Sequence, residues 1–186
     1  MKKSRKKKPN QKKIRIVLVV ILILLMLILW SYFIIGIALT TLFAVATFLI
    51  LQFSVKLEYI DISCYVATSC FMGYVFGPLA GLLYALFVGG ISYAILRFSF
   101  NSVSTVTIAT VFATVCGVLG SYYNLTWPSA FLIIIIIKVI VSSTWFYMVT
   151  GNLVRVIGIH FSQLIINMFL YLPLLNLLYT IIRPFT

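Results

Sequence analysis

From Ile16 to Val55 the chain carries forty consecutive residues without a charge. A secretory signal has an apolar region of only about 7 to 15 residues, so the basic residues ahead of this run are not the start of a cleaved leader, despite the small-residue pattern at Ala44 and Ala46. As one helix the forty residues would measure about 60 Å, twice the ~30 Å hydrocarbon core of a bilayer. The run is therefore expected to fold back, at Trp30, Ser31 and Tyr32, where interfacial aromatics flank a polar residue, or alternatively at Gly36. This gives a helix A over about 14–33 and a helix B over about 35–54.

The rest of the chain has the same character. Of its 186 residues, 63% are hydrophobic and 9% charged, against roughly 25% charged in an ordinary soluble domain. Nine of the fourteen Lys and Arg residues lie between Lys2 and Arg15, so the net charge describes a tail and not a basic face. A nucleic-acid surface would need those charges on a folded face beside aromatic platforms, and none is expected. Cys64, Cys70 and Cys116 are odd in number, lack a metal-ligand spacing and fall inside apolar segments. They read as small core residues rather than disulfide partners.

Polar patches and Gly-Pro steps divide the chain beyond Val55. The patch from Lys56 to Asp61 holds both acidic residues, Glu58 and Asp61. A helix C over about 62–77 ends at Gly77-Pro78, since proline lacks an N–H and disfavours helical backbone in the residue before it. Helices D to G are expected over about 79–97, 105–123, 129–149 and 156–182, separated by polar turns at 99–104, 124–128 and 150–152. Nothing alternates with the period of two that a barrel strand requires. The fold class is thus all-α, a polytopic membrane helical bundle, with a tail at 1–15 and a single transmembrane domain at 16–186. The basic tail should stay on the cytoplasmic side of the cell membrane. Seven spans would put the C-terminus outside, and six would put both ends inside.

Three constellations could carry function. Gly36, Thr40 and Ala44 recur every four residues on helix B, and Gly77, Gly81, Ala85 and Gly89 do so into helix D; such faces allow close helix approach, either internally or against a partner. Lys138 lies deep in helix F. A charge there costs at least ~2.5 kcal/mol unless it faces the bundle, faces a wet cavity or snorkels to an interface. The third group is Thr144, Trp145, Tyr147, Asn152 and Arg155, read either as an interfacial belt or as a ligand site. The only histidine, His160, reads as a packed residue.

Enzyme signatures are missing. Two acids three positions apart do not form an intramembrane protease dyad, one histidine does not make a zinc site, and no phosphate-cradling loop is present. The chain is expected to be no enzyme, to need no cofactor or metal, and to depend on another subunit or an ion gradient for any active transport.

Four stretches carry a family resemblance over Leu57 to Pro184: Tyr59 to Ser63, Gly77-Pro78 with Gly81, Ser143 to Gly151, and Leu153 through Arg155 to Asn167 and Pro173. The chain resembles the substrate-binding S components of energy-coupling factor vitamin transporters, folate-type branch. It departs from them in having Ser143 where Asn is usual and one more hydrophobic segment than the six-helix core. The resemblance implies capture of a vitamin such as folate, with Trp145, Tyr147, Asn152 and Arg155 as the substrate site, and transfer to a transmembrane coupling protein driven by two ATPase subunits. Gly36, Thr40 and Ala44 would be the face offered to that partner. The chain is also similar to the rod-shape morphogenesis protein MreD, which implies a scaffold of cell-wall machinery with no ligand; a small accessory subunit is the third class. A binding component should contain an aqueous cavity near one membrane face, whereas a scaffold should be packed through its middle.

Overall fold

The computed structural model describes the backbone of residues 11–57, 59–96 and 99–185, and side chains from residue 33 to residue 184 within those stretches. The basic tail ahead of Gln11, Glu58 and Arg97 lie outside the described residues. The chain divides into two units, Met1–Ile37 and Ala38–Thr186. The first is helical from Gln11, and the second holds the bundle and its cavities.

Six helices follow one another without a strand among the described residues: α1 Gln11–Ser54, α2 Tyr65–Phe76, α3 Pro78–Leu96, α4 Phe100–Ser121, α5 Trp127–Thr150 and α6 Leu153–Ile182. Five are long and apolar enough to cross a membrane, α1 through its stretch Phe33–Ser54. The protein is an all-α, multi-pass membrane bundle.

Two expectations need correction. The fold-back at Trp30 to Tyr32 is absent, because α1 is assigned through those positions; Ser31 and Gly36 are tolerated in a helix and no proline forces a break. Seven segments thus become six helices. Helix α4 also begins at Phe100 and not near 105, because Ser99 caps it, its hydroxyl accepting the Ser102 N–H at 3.2 Å, a bond that satisfies one of the orphan donors of the first turn.

The Gly77-Pro78 break falls where the sequence places it. Gly77 has φ +94°, and Pro78 opens α3. The hairpin is closed by small residues. A Cβ on Gly81 would lie 2.5 Å from the Gly73 Cα, and one on Gly117 would lie 2.6 Å from the Gly73 carbonyl oxygen and from the Pro78 Cα. Gly73, Gly81 and Gly117 therefore serve close packing within the fold. Tyr65 to Gly73 of α2 are all buried, which makes this twelve-residue helix the centre of the bundle. On α1 the inward row is Leu39, Phe43, Thr47 and Leu51, spaced by four as one helix face requires. Thr40 and Ala44 flank that row half-buried, and Gly36 falls in the N-terminal unit.

Cys64, Cys70 and Cys116 are free and buried, as small core residues. Trp127, fully buried at the start of α5, collects Phe71, Tyr74 and Phe131 around it, with ring centroids 5.0–5.4 Å away. This aromatic cluster closes the end of the bundle that holds the Gly77-Pro78 turn.

Candidate functional site

The opposite end is open. Here α1, α3 and α5 finish and α4 and α6 begin, and a cavity of about 140 Å³ lies between them. Each wall is one helix face. Lys138, Ser142, Phe146 and Thr150 come from α5 at intervals of four, while Arg155, Ile159, His160 and Gln163 come from α6. Asn101, Ser102 and Thr105 come from α4, Tyr93 from α3, and Leu51 and Ser54 from α1.

The remaining wall is the segment between α1 and α2, which is not helical. It runs down the face of α6. A Cβ on Gly158 would lie 2.9 Å from the Tyr59 carbonyl oxygen, so glycine there lets the two backbones touch. Further along, the Asp61 N–H donates to Ser162 Oγ at 3.0 Å, and Tyr171 donates its hydroxyl to the Ile62 carbonyl at 2.6 Å. Irregular backbone at membrane depth survives only where protein or a wet cavity satisfies its polar groups. Ser162 and Tyr171 provide that here, and Gly158 leaves the room for it.

Asp61 is the anchor of this segment. Its Oδ1 accepts from the Ser54 hydroxyl at 2.8 Å and from the Ser63 N–H at 2.9 Å, and its Oδ2 accepts from the Gln163 side-chain amide at 2.9 Å. Gln163 in turn accepts from Lys138 through Oε1. A buried cation and a part-buried anion are thus joined through one amide, the arrangement that makes internal charges tolerable in a membrane. Lys138 turns inward, where it is 3% exposed and borders the cavity, and does not snorkel to an interface. Asp61 is thereby held part-buried against α1 and α6.

His160 is 4% exposed, lines the cavity, and its Nδ1 has no hydrogen-bond partner. Its ring lies 5.4 Å from that of Phe146. The histidine is therefore not a fully satisfied packing residue.

The four residues expected to form a site are not brought together. Arg155 lines the cavity. Asn152 is spent as the cap of α6, its side-chain oxygen accepting the Arg155 N–H at 3.0 Å. Trp145 and Tyr147 are exposed and do not line the cavity, whereas Phe146 between them does. Successive helix residues point about 100° apart, so only one of three neighbours can face inward. Trp145 instead lies beside Phe100, with ring centroids 6.5 Å apart. Sequence reasoning missed Asp61, His160 and Gln163; the usable signal was three polar residues, His160, Ser162 and Gln163, crowded into four positions of a mainly apolar helix.

A groove of about 510 Å³ at the other end involves Tyr74, Asn124, Tyr179 and Arg183. Arg183 there is exposed, and the buried Trp127 Nε1 at the groove's edge has no hydrogen-bond partner; the first cavity brings together more charged groups, Lys138, Asp61 and Arg155. No protein-family model, no curated protein and no solved structure matches the chain, and the site is read from its own residues.

Proposed function

We propose that the protein captures a small polar solute from outside the membrane, acting as the S-type binding component of a vitamin transporter. The observation that carries this reading is the cavity at one end of the bundle, where Lys138, Asp61, Arg155 and several polar side chains stand among aliphatic and aromatic ones. A scaffold has no need of such a space, and ligand sites between membrane helices have this character. The small-residue faces of α2, α3 and α4 pack inside the fold, which removes one support from the scaffold reading.

Uptake requires the cavity mouth, at the Ser54 end of the Phe33–Ser54 crossing, to face the outer side of the membrane. No nucleotide-binding loop is present in the sequence, so energy would come from a transmembrane coupling protein and two ATPase subunits, with Thr40 and Ala44 on the outer flank of α1 as one surface for that contact.

The test is purification in mild detergent, followed by native mass spectrometry and extraction of bound small molecules. A stoichiometric solute is expected with the wild type and its loss with Thr150→Trp, which plugs the mouth from an exposed position. A wild-type protein that carries no solute and binds none from a metabolite library would end this reading.

A further inference from the structure

The non-helical wall of the cavity is held unevenly. From Asp61 to Ser63 it is bolted to the bundle: the Asp61 N–H donates to Ser162, the Asp61 carboxylate accepts from Ser54, Ser63 and Gln163, and Tyr171 donates to the Ile62 carbonyl. Tyr59 and Ile60, just ahead of it, make no hydrogen bond among the described residues. Tyr59 is 50% exposed and Ile60 47% exposed, yet Ile60 lines the cavity.

Tyr59 rests on α6 at Gly158. Its carbonyl oxygen lies 2.9 Å, and its Cβ 3.6 Å, from the place a Cβ on Gly158 would take. With no side chain at Gly158, α6 presents nothing for the Tyr59 backbone to catch on as it leaves or returns. The other walls are helix faces, and shifting those would break helical hydrogen bonds or helix packing. A short piece with few buried contacts and no hydrogen bonds of its own opens at far lower free energy. Access is also needed, since Lys138 and Ser142 border the cavity but are 3% and 1% exposed.

We infer that Tyr59 and Ile60 are the gate of the cavity, swinging off Gly158 about the fixed Asp61 to open the way to Lys138 and Ser142. Ile60 is the side chain that closes it, an apolar cover over a polar interior. The use of the gate to admit a solute rests on the solute-binding reading above; its movement does not.

A disulfide tests the movement directly. Tyr59→Cys with Gly158→Cys places two Cβ positions 3.6 Å apart, within the roughly 3.5–4.5 Å that a disulfide spans. The reporter is Ser142→Cys, alkylated by iodoacetamide in the purified full-length protein and read by peptide mass spectrometry, with Tyr59→Ser and Gly158→Ser together as the unlocked control. Air oxidation with a copper catalyst is expected to close the disulfide and to slow alkylation at position 142 about tenfold or more against that control. Gly158→Val, which presses on the Tyr59 carbonyl, should speed alkylation instead. Failure of the pair to cross-link, no alkylation of the control, or equal rates in locked and unlocked proteins overturns the gate and leaves solute capture standing. Blocked alkylation in the locked protein, beside a wild type that neither carries nor binds a solute, keeps the gate and ends the uptake reading.

Discussion

The side-chain amide of Gln163 donates to Asp61 at 2.9 Å across 102 residues of sequence. This bond ties the non-helical segment before α2 to the middle of α6. Since the same Gln163 accepts from Lys138, three elements depend on one side chain. A buried charge that loses its partner costs about 3–5 kcal/mol, whereas removing both charges together is often close to neutral.

The first prediction rests on that asymmetry. Asp61→Asn should lower the melting temperature in detergent strongly, because it strands Lys138 in the bundle. Adding Lys138→Met should restore part of the loss, making the double variant more stable than Asp61→Asn alone. Thermal unfolding of the four proteins of the cycle checks it, and strictly additive losses would show that the two charges do not communicate through Gln163.

Close helix approach gives the second. A side chain on Gly73 would collide with the Ala113 carbonyl, and one on Gly81 with the Gly73 backbone, whereas one on Gly90 would meet nothing within 4 Å. Gly73→Ala and Gly81→Ala should each cost about 1–3 kcal/mol through overpacking. Gly90→Ala should be neutral or gain up to about 1 kcal/mol from helix propensity. Melting curves of the three variants suffice, and equal behaviour of Gly81→Ala and Gly90→Ala would contradict the hairpin packing.

Orientation is open to a direct labelling experiment. The three native cysteines are buried, so an introduced thiol stands out against them. In intact cells a membrane-impermeant maleimide should label Asn152→Cys, at the cavity end, and spare Tyr122→Cys at the other. Both positions are exposed in the fold. The reverse pattern would place the cavity on the cytoplasmic side and end the uptake proposal.

The sequence made the class of fold plain because hydrophobicity over twenty residues is a strong signal, and the Gly77-Pro78 break because proline chemistry is local. The depth of Lys138 forced it to face inward, a wet space or an interface, and the structure turns it inward at the border of the cavity. Three features were hidden for physical reasons. The course of α1 through Ser31 and Gly36 could not be told from a turn, since both residues occur in helices and in bends. The descent of Tyr59 to Ser63 into the bundle depends on Gly158, Ser162 and Tyr171, about a hundred residues away, which no local pattern reports. The direction of Phe146 was marked only by Lys138, Ser142 and Thr150, polar residues at intervals of four on the same face of a helix that is otherwise rich in apolar residues.

The inward turn of Phe146 gives the sharpest test of the site. Trp145 is 42% exposed and Tyr147 is 48% exposed, while Phe146 lines the cavity beside His160. If ring stacking inside the cavity holds the solute, Phe146→Ala should weaken binding of the co-purified solute about five- to tenfold, in line with the ~1 kcal/mol or more that an aromatic pair adds beyond its buried area. Trp145→Ala and Tyr147→Ala should leave the affinity unchanged, since their rings point away from that space. Binding isotherms for the three variants, with melting temperatures as a control for folding, decide the matter. Loss of affinity in Trp145→Ala or Tyr147→Ala with Phe146→Ala unaffected would move the site to the outer face of α5, where the order of residues alone had placed it.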